Sequence, residues 1–94
     1  MNLHKLYNKY NKKYFGNLLE PVILYKKEMQ GMYGYASDYG EIQEIALNSS
    51  NNKEEMHLTL IHEMVHVWQA QQGKKMNHKK SFRKWENRIG KNIR

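Results

Sequence analysis

Leu3, Leu6, Tyr7, Tyr10 and Tyr14 recur three and four positions apart, with Lys5, Lys9, Lys12 and Lys13 between them. That period gathers the apolar residues on one face and predicts an amphipathic helix ending near Gly16. Pro21, the only proline, separates this helix from "VILY" at 22–25, a short β-branched run predicted as a buried strand. "GMYGYAS" at 31–37 alternates around Tyr33 and Tyr35 and predicts a second strand or hairpin arm. "EIQEIALN" at 41–48 predicts a third strand through Ile42, Ile45 and Leu47. "NSSNN" at 48–52 is turn chemistry, with Ser and Asn available to cap a helix starting just after it.

Residues 53–72 read as one helix. Glu54 and Glu55 in its first turn suit the helix dipole. Met56, Leu58, Leu60, Ile61, Met64, Val65, Val67 and Trp68 surround it with apolar side chains, as in a central, buried helix. Gly73 ends it. A last helix, roughly 77–90, presents His78, Phe82, Trp85 and Ile89 on its inward face. Helix, three short strands, helix, helix is an α+β arrangement, and 94 residues make one domain over 1–94.

The most apolar helix carries three polar residues in a pattern. His62, Glu63 and His66 spell H-E-x-x-H. Four residues apart on a helix, the two imidazoles share a face one turn apart and can bind one tetrahedral Zn²⁺. Glu63 projects beside that face, where a carboxylate can act as general base on an attacking water. With five His and eight Glu in the chain, chance produces the motif with a probability on the order of 2%. Buried in an apolar helix, the three residues would also be costly without partners, and a metal satisfies two of them at once.

A catalytic zinc takes a third protein ligand. His4, His57, His78 and Glu86 are the candidates. His57 lies five residues before His62 and points about 140° away around the helix. Glu86 stands twenty residues past His66, the spacing of zinc proteases whose third ligand is a glutamate. The inward face shared with Phe82 and Trp85 favours His78, which leaves Glu86 beside the site or on the helix surface. The short metzincin spacing is absent: no glycine follows His66 at +3.

Composition narrows the chemistry further. There is no cysteine, hence no disulfide, thiolate nucleophile or Cys-ligated metal. No segment has the length of a membrane span or the form of a signal peptide, and a soluble cytoplasmic protein is expected. The net charge of +7 is unevenly spread. Residues 1–16 carry +4 and residues 73–94 carry +8, while the middle carries −5. Lys79, Lys80, Arg83, Lys84, Arg88 and Lys91 fall on the outer side of the last helix and are candidates to bind nucleic acid.

"LIHEMVHVWQ" at 60–69 with "HKKSF" at 78–82 resembles the SprT-like zinc metalloprotease family, which includes the Spartan DNA-dependent proteases. "YNKKYFGNLLEPVILY", "GMYGYAS" and "EIALNSS" upstream resemble it too, so the likeness covers nearly the whole chain. The resemblance implies a minimal zincin-like fold, one zinc ion held by His62, His66 and His78, and Glu63 as catalytic acid/base. It also implies a protein substrate bound or crosslinked to DNA. The chain departs from the pattern at Lys79, where the family has glycine after the third histidine, and it has no Cys-containing zinc ribbon. The competing expectation is a non-catalytic basic module that binds nucleic acid and uses its metal as a structural staple. A third is a zinc protease with no nucleic-acid role.

Overall fold

The computed structural model describes residues 2–93, with side chains through residue 89. In chain order it contains α1 (Leu3–Phe15), β1 (Ile23–Lys27), β2 (Gly34–Asp38), β3 (Gln43–Asn48), α2 (Lys53–Gln71) and α3 (Lys80–Ile93). Three helices and a three-stranded sheet make the α+β class predicted from the hydrophobic pattern.

Asn2 caps α1 by accepting the Lys5 N–H, and Gly16 closes it at φ 59°, a left-handed conformation that glycine adopts without steric cost. Its inward face is the predicted one: Leu3, Leu6, Tyr7, Tyr10 and Tyr14 are buried, joined by Phe15. Asn11 is buried as well. Its amide pairs with the Leu19 backbone in both directions, at 2.8 and 3.1 Å, and so fixes how the chain turns toward β1.

The strands lie in the order β1-β3-β2. β3 is central, parallel to β1 and antiparallel to β2. With a neighbour on each side, its Ile45, Ala46 and Leu47 are fully buried. β2 is an edge strand, drawn close to α2 at Gly34. A Cβ on Gly34 would meet the Ala46 carbonyl oxygen at 2.7 Å and Thr59 Cγ2 at 2.9 Å. Only glycine allows that approach.

A capping box starts α2: Asn52 accepts the Glu55 N–H and Glu55 accepts the Asn52 N–H, both at 2.8 Å. The helix packs on β2 and β3 and against α3. It ends as predicted at Gly73, whose positive φ lets Gly73 and Lys74 donate back to Ala70 and Gln69.

One boundary differs from expectation. α3 starts at Lys80 rather than near 77, so His78 stands in the loop before the helix and not on it. The Asn77 side chain accepts the Lys79 N–H, a turn that local hydrogen bonding favours over helix. Phe82 and Ile89 are buried and Trp85 packs at the edge of the core, as the inward face required. Phe15 stacks on Trp85 at 4.7 Å between ring centres and so joins α1 to α3. No helix among the described residues is long and apolar enough to cross a membrane.

Candidate metal centre

His62 and His66 stand one turn apart on α2, and the loop after α2 brings His78 back to them. His78 Nε2 lies 3.2 Å from His66 Nε2 and 3.3 Å from His62 Nε2. Zn–N bonds of about 2.0–2.1 Å at tetrahedral angles separate their nitrogens by about 3.3–3.4 Å. Both separations from His78 match that spacing, all three ligand nitrogens lie within 4.8 Å of one another, and the three imidazoles are the group among the described residues that could hold a metal.

Burial prepares these nitrogens. It pushes the pKa of His62 down to about 4, helped by the neighbouring His66 and His78. Burial also lowers that of His66, against the hydrogen bond it donates to Gln69, which raises it. Neutral imidazole is the form that ligates a cation. Beneath the cluster lies Phe82, 2% exposed. Its ring centre is 4.8 Å from those of His62 and His66 and 4.7 Å from that of His78. One apolar ring thus supports all three imidazoles.

Gln69, one turn beyond His66, is entirely buried. Its Oε1 accepts from His66 Nδ1 at 2.9 Å. Its Nε2 donates to the Asn77 carbonyl at 2.9 Å and to Ser81 Oγ at 3.0 Å. Hydrophobic patterning and motif spacing do not single this residue out. The signal it carries in the sequence is a glutamine three positions after the second motif histidine, on an apolar helix.

Glu63 is 6% exposed and lines a cavity of about 530 Å³ together with His62. Burial pushes its carboxyl up to about 7, toward the range of a general base working near neutrality. Met32, Tyr33 and Leu58, all exposed in part, give the cavity apolar walls, and Gly34 at the start of β2 completes that side. Of Tyr33, Tyr35 and Tyr39, whose hydroxyls could donate to an oxyanion, Tyr33 lines this cavity. Tyr35 bonds instead to Tyr25, and Tyr39 donates to Glu44.

The other candidate ligands lie elsewhere. His57 shares a hydrogen bond with the Tyr10 hydroxyl. His4 and Glu86 are exposed and outside the cluster. On the far side of His78, Lys79, Lys80, Arg83 and Lys84 line a second cavity of about 590 Å³ with His78 itself. Arg88 turns toward the Trp85 ring, 5.4 Å from its centre. The Lys91 side chain lies outside the described residues.

Comparison with known proteins bears on this geometry. The model of the SprT-like family matches residues 3–94. The chain belongs to the SprT-like family. Among solved structures, this SprT-like protein is similar to the metallopeptidase zymogen of Methanocaldococcus jannaschii jannalysin, at TM-score 0.64 and 17% identity. The match covers 94% of this chain and 81% of that one. At such low identity the likeness shows the fold. No protein of curated function matches the sequence. The family match spans all three histidines, which form a group able to hold a metal ion.

Proposed function

We propose that this SprT-like domain, residues 1–94, is a zinc-dependent endopeptidase that cuts proteins associated with DNA. The observation that carries the proposal is the convergence of three imidazole Nε2 atoms beside a buried carboxyl that opens onto an apolar cavity. His62, His66 and His78 would hold one zinc ion. When bound, the ion supplies Lewis acidity, polarising the scissile carbonyl and lowering the pKa of water to about 7.

The remaining work falls to the chain. Glu63 takes the proton from the attacking water and returns it to the departing amine. Its raised pKa suits both halves, because a carboxylate that binds the proton moderately can also release it. A structural metal site has no use for such an acid next to its first ligand, and this separates the enzyme from a metal-stapled binding module. β2 is an edge strand whose first residue borders the same cavity, so an extended peptide can add to the sheet there. Met32, Leu58 and the Tyr33 ring then offer apolar contact to its side chains.

The link to DNA rests on charge next to the cluster. Lys79, Lys80, Arg83 and Lys84 share a cavity with His78, so a polyanion held there lies against the third candidate ligand.

Glu63→Gln tests the enzyme. Zinc content and fold should be retained, with hydrolysis of a basic DNA-binding protein lowered about 10²–10⁴-fold. Wild-type zinc protein that hydrolyses no protein, with or without DNA, would return the weight to the binding module. Replacing Lys79, Lys80, Arg83 and Lys84 by glutamine tests the nucleic-acid part. Binding to duplex DNA should weaken at every sequence, and the salt slope should fall by about 0.9 for each phosphate no longer neutralised. Binding and cleavage indifferent to DNA and ionic strength would leave a peptidase without a nucleic-acid role.

A further inference from the structure

The geometry points to Gln69 as the positioning residue that sets both the tautomer of His66 and the place of His78, an inference that rests on the metal reading above. Gln69 is 0% exposed on a helix whose other buried residues, Glu63 and His66 apart, are apolar. A buried primary amide persists only when its donors and acceptor are satisfied. Here each is used. Oε1 accepts from His66 Nδ1 at 2.9 Å and from the Asn77 N–H at 3.3 Å. Nε2 donates to the Asn77 carbonyl at 2.9 Å and to Ser81 Oγ at 3.0 Å.

The Asn77 backbone removes the ambiguity of which way the amide faces. A peptide N–H can only donate and a peptide carbonyl can only accept. Oε1 must therefore face the Asn77 N–H, and Nε2 must face its carbonyl. With Oε1 so placed, the ring nitrogen 2.9 Å away has to be the donor. His66 Nδ1 consequently carries the hydrogen, and Nε2 keeps the lone pair that points toward His62 and His78. The same amide grips the residue immediately before His78 at two points and holds Ser81 in the first turn of α3. A single side chain on the motif helix thus couples the second candidate ligand to the third. This also explains why His78 can occupy a loop: the loop is anchored to α2 one residue upstream.

Cobalt(II) titration of metal-free protein gives the test, because visible d–d bands report coordination geometry as well as affinity. Wild type should bind with the intense bands of a tetrahedral site. Gln69→Met keeps the length and apolar body but removes every hydrogen bond. Cobalt affinity should fall about 10–100-fold with weakened tetrahedral bands, while the helical circular dichroism of the metal-free protein stays as in wild type. A purely structural role would change stability and leave the bands intact. Methionine protein with wild-type affinity and bands overturns the proposal. Should that variant not fold, Gln69→Glu decides alone: it keeps the acceptor facing His66 and loses the donors to Asn77 and Ser81. A loss of about tenfold in affinity with weakened tetrahedral bands supports the proposal, whereas wild-type affinity, or bands that stay intact, overturns it. Wild type that binds neither cobalt nor zinc overturns the metal reading and this inference together, which separates the two failures.

Discussion

Phe82→Ala removes the ring on which the candidate metal centre stands. The side chain is 2% exposed and meets all three imidazoles at 4.7–4.8 Å between ring centres. The substitution has two effects that can be measured apart. The first is loss of core. A buried Phe→Ala change costs about 3–5 kcal/mol through lost burial and the cavity left behind. A chain of 94 residues has on the order of 5–14 kcal/mol of total stability. Metal-free variant should therefore lose a substantial part of its stability while remaining measurable. The second effect is on the metal. At free zinc 100 times the dissociation constant, binding adds about 2.7 kcal/mol to the folded state. If the imidazoles lose their common support and affinity falls tenfold, that increment shrinks by about 1.3 kcal/mol at the same free zinc. Urea unfolding of wild type and variant, each with chelator and with buffered zinc, yields both quantities. A metal-free loss below about 1 kcal/mol would refute Phe82 as a core residue on the scale of such changes. Equal zinc increments in the two proteins would refute the claim that the ring sets the imidazole geometry.

Other substitutions address the elements around the centre. Gly34→Ala should cost about 1–3 kcal/mol by overpacking, since the new methyl meets the Ala46 backbone at 2.7 Å; an unchanged urea midpoint would show that β2 yields without strain. His78→Ala should leave the metal-free fold intact, because His78 is an exposed loop residue, yet lower zinc uptake measured by competition with a chromophoric chelator; uptake equal to wild type would exclude His78 as a ligand. Burial raises the Tyr7 pKa, with a smaller contribution from Glu20. The unfolded phenol begins to ionise near 10 while the folded one stays neutral, so this contribution is full below about pH 10 and declines as pH rises beyond it. Urea midpoints between pH 9 and 11 should fall, and should fall less steeply in Tyr7→Phe, which lacks the ionisable group; parallel curves would refute the assignment.

The local parts of this protein are legible in its sequence because their physics is local. The spacing of Leu3, Leu6, Tyr7, Tyr10 and Tyr14 places them on one face of any helix, and that face is buried. Gly73 ends α2 because a left-handed residue there lets two N–H groups reach back to the helix. His62 and His66 share a face by helical geometry alone. Periodicity puts the start of α3 too early because it carries no information about the Asn77 turn, which replaces the first helical turn with side-chain bonds.

What the sequence by itself determined is the set of elements, the buried face of α1, the burial of Phe82 and Ile89 on α3 and the pairing of His62 with His66, since each depends on residues at most a few positions apart; the strand at 22–25 is only partly buried, and Ile42 is exposed just before β3. Tertiary structure decided the rest. The order β1-β3-β2 requires a strand pairing between distant segments, which no local period specifies. The approach of His78 to the motif helix depends on a loop held by Gln69, and the apolar cavity beside Glu63 depends on a glycine that lets an edge strand press against α2. These are contacts between segments far apart in the chain, formed only once the helix and the sheet have packed.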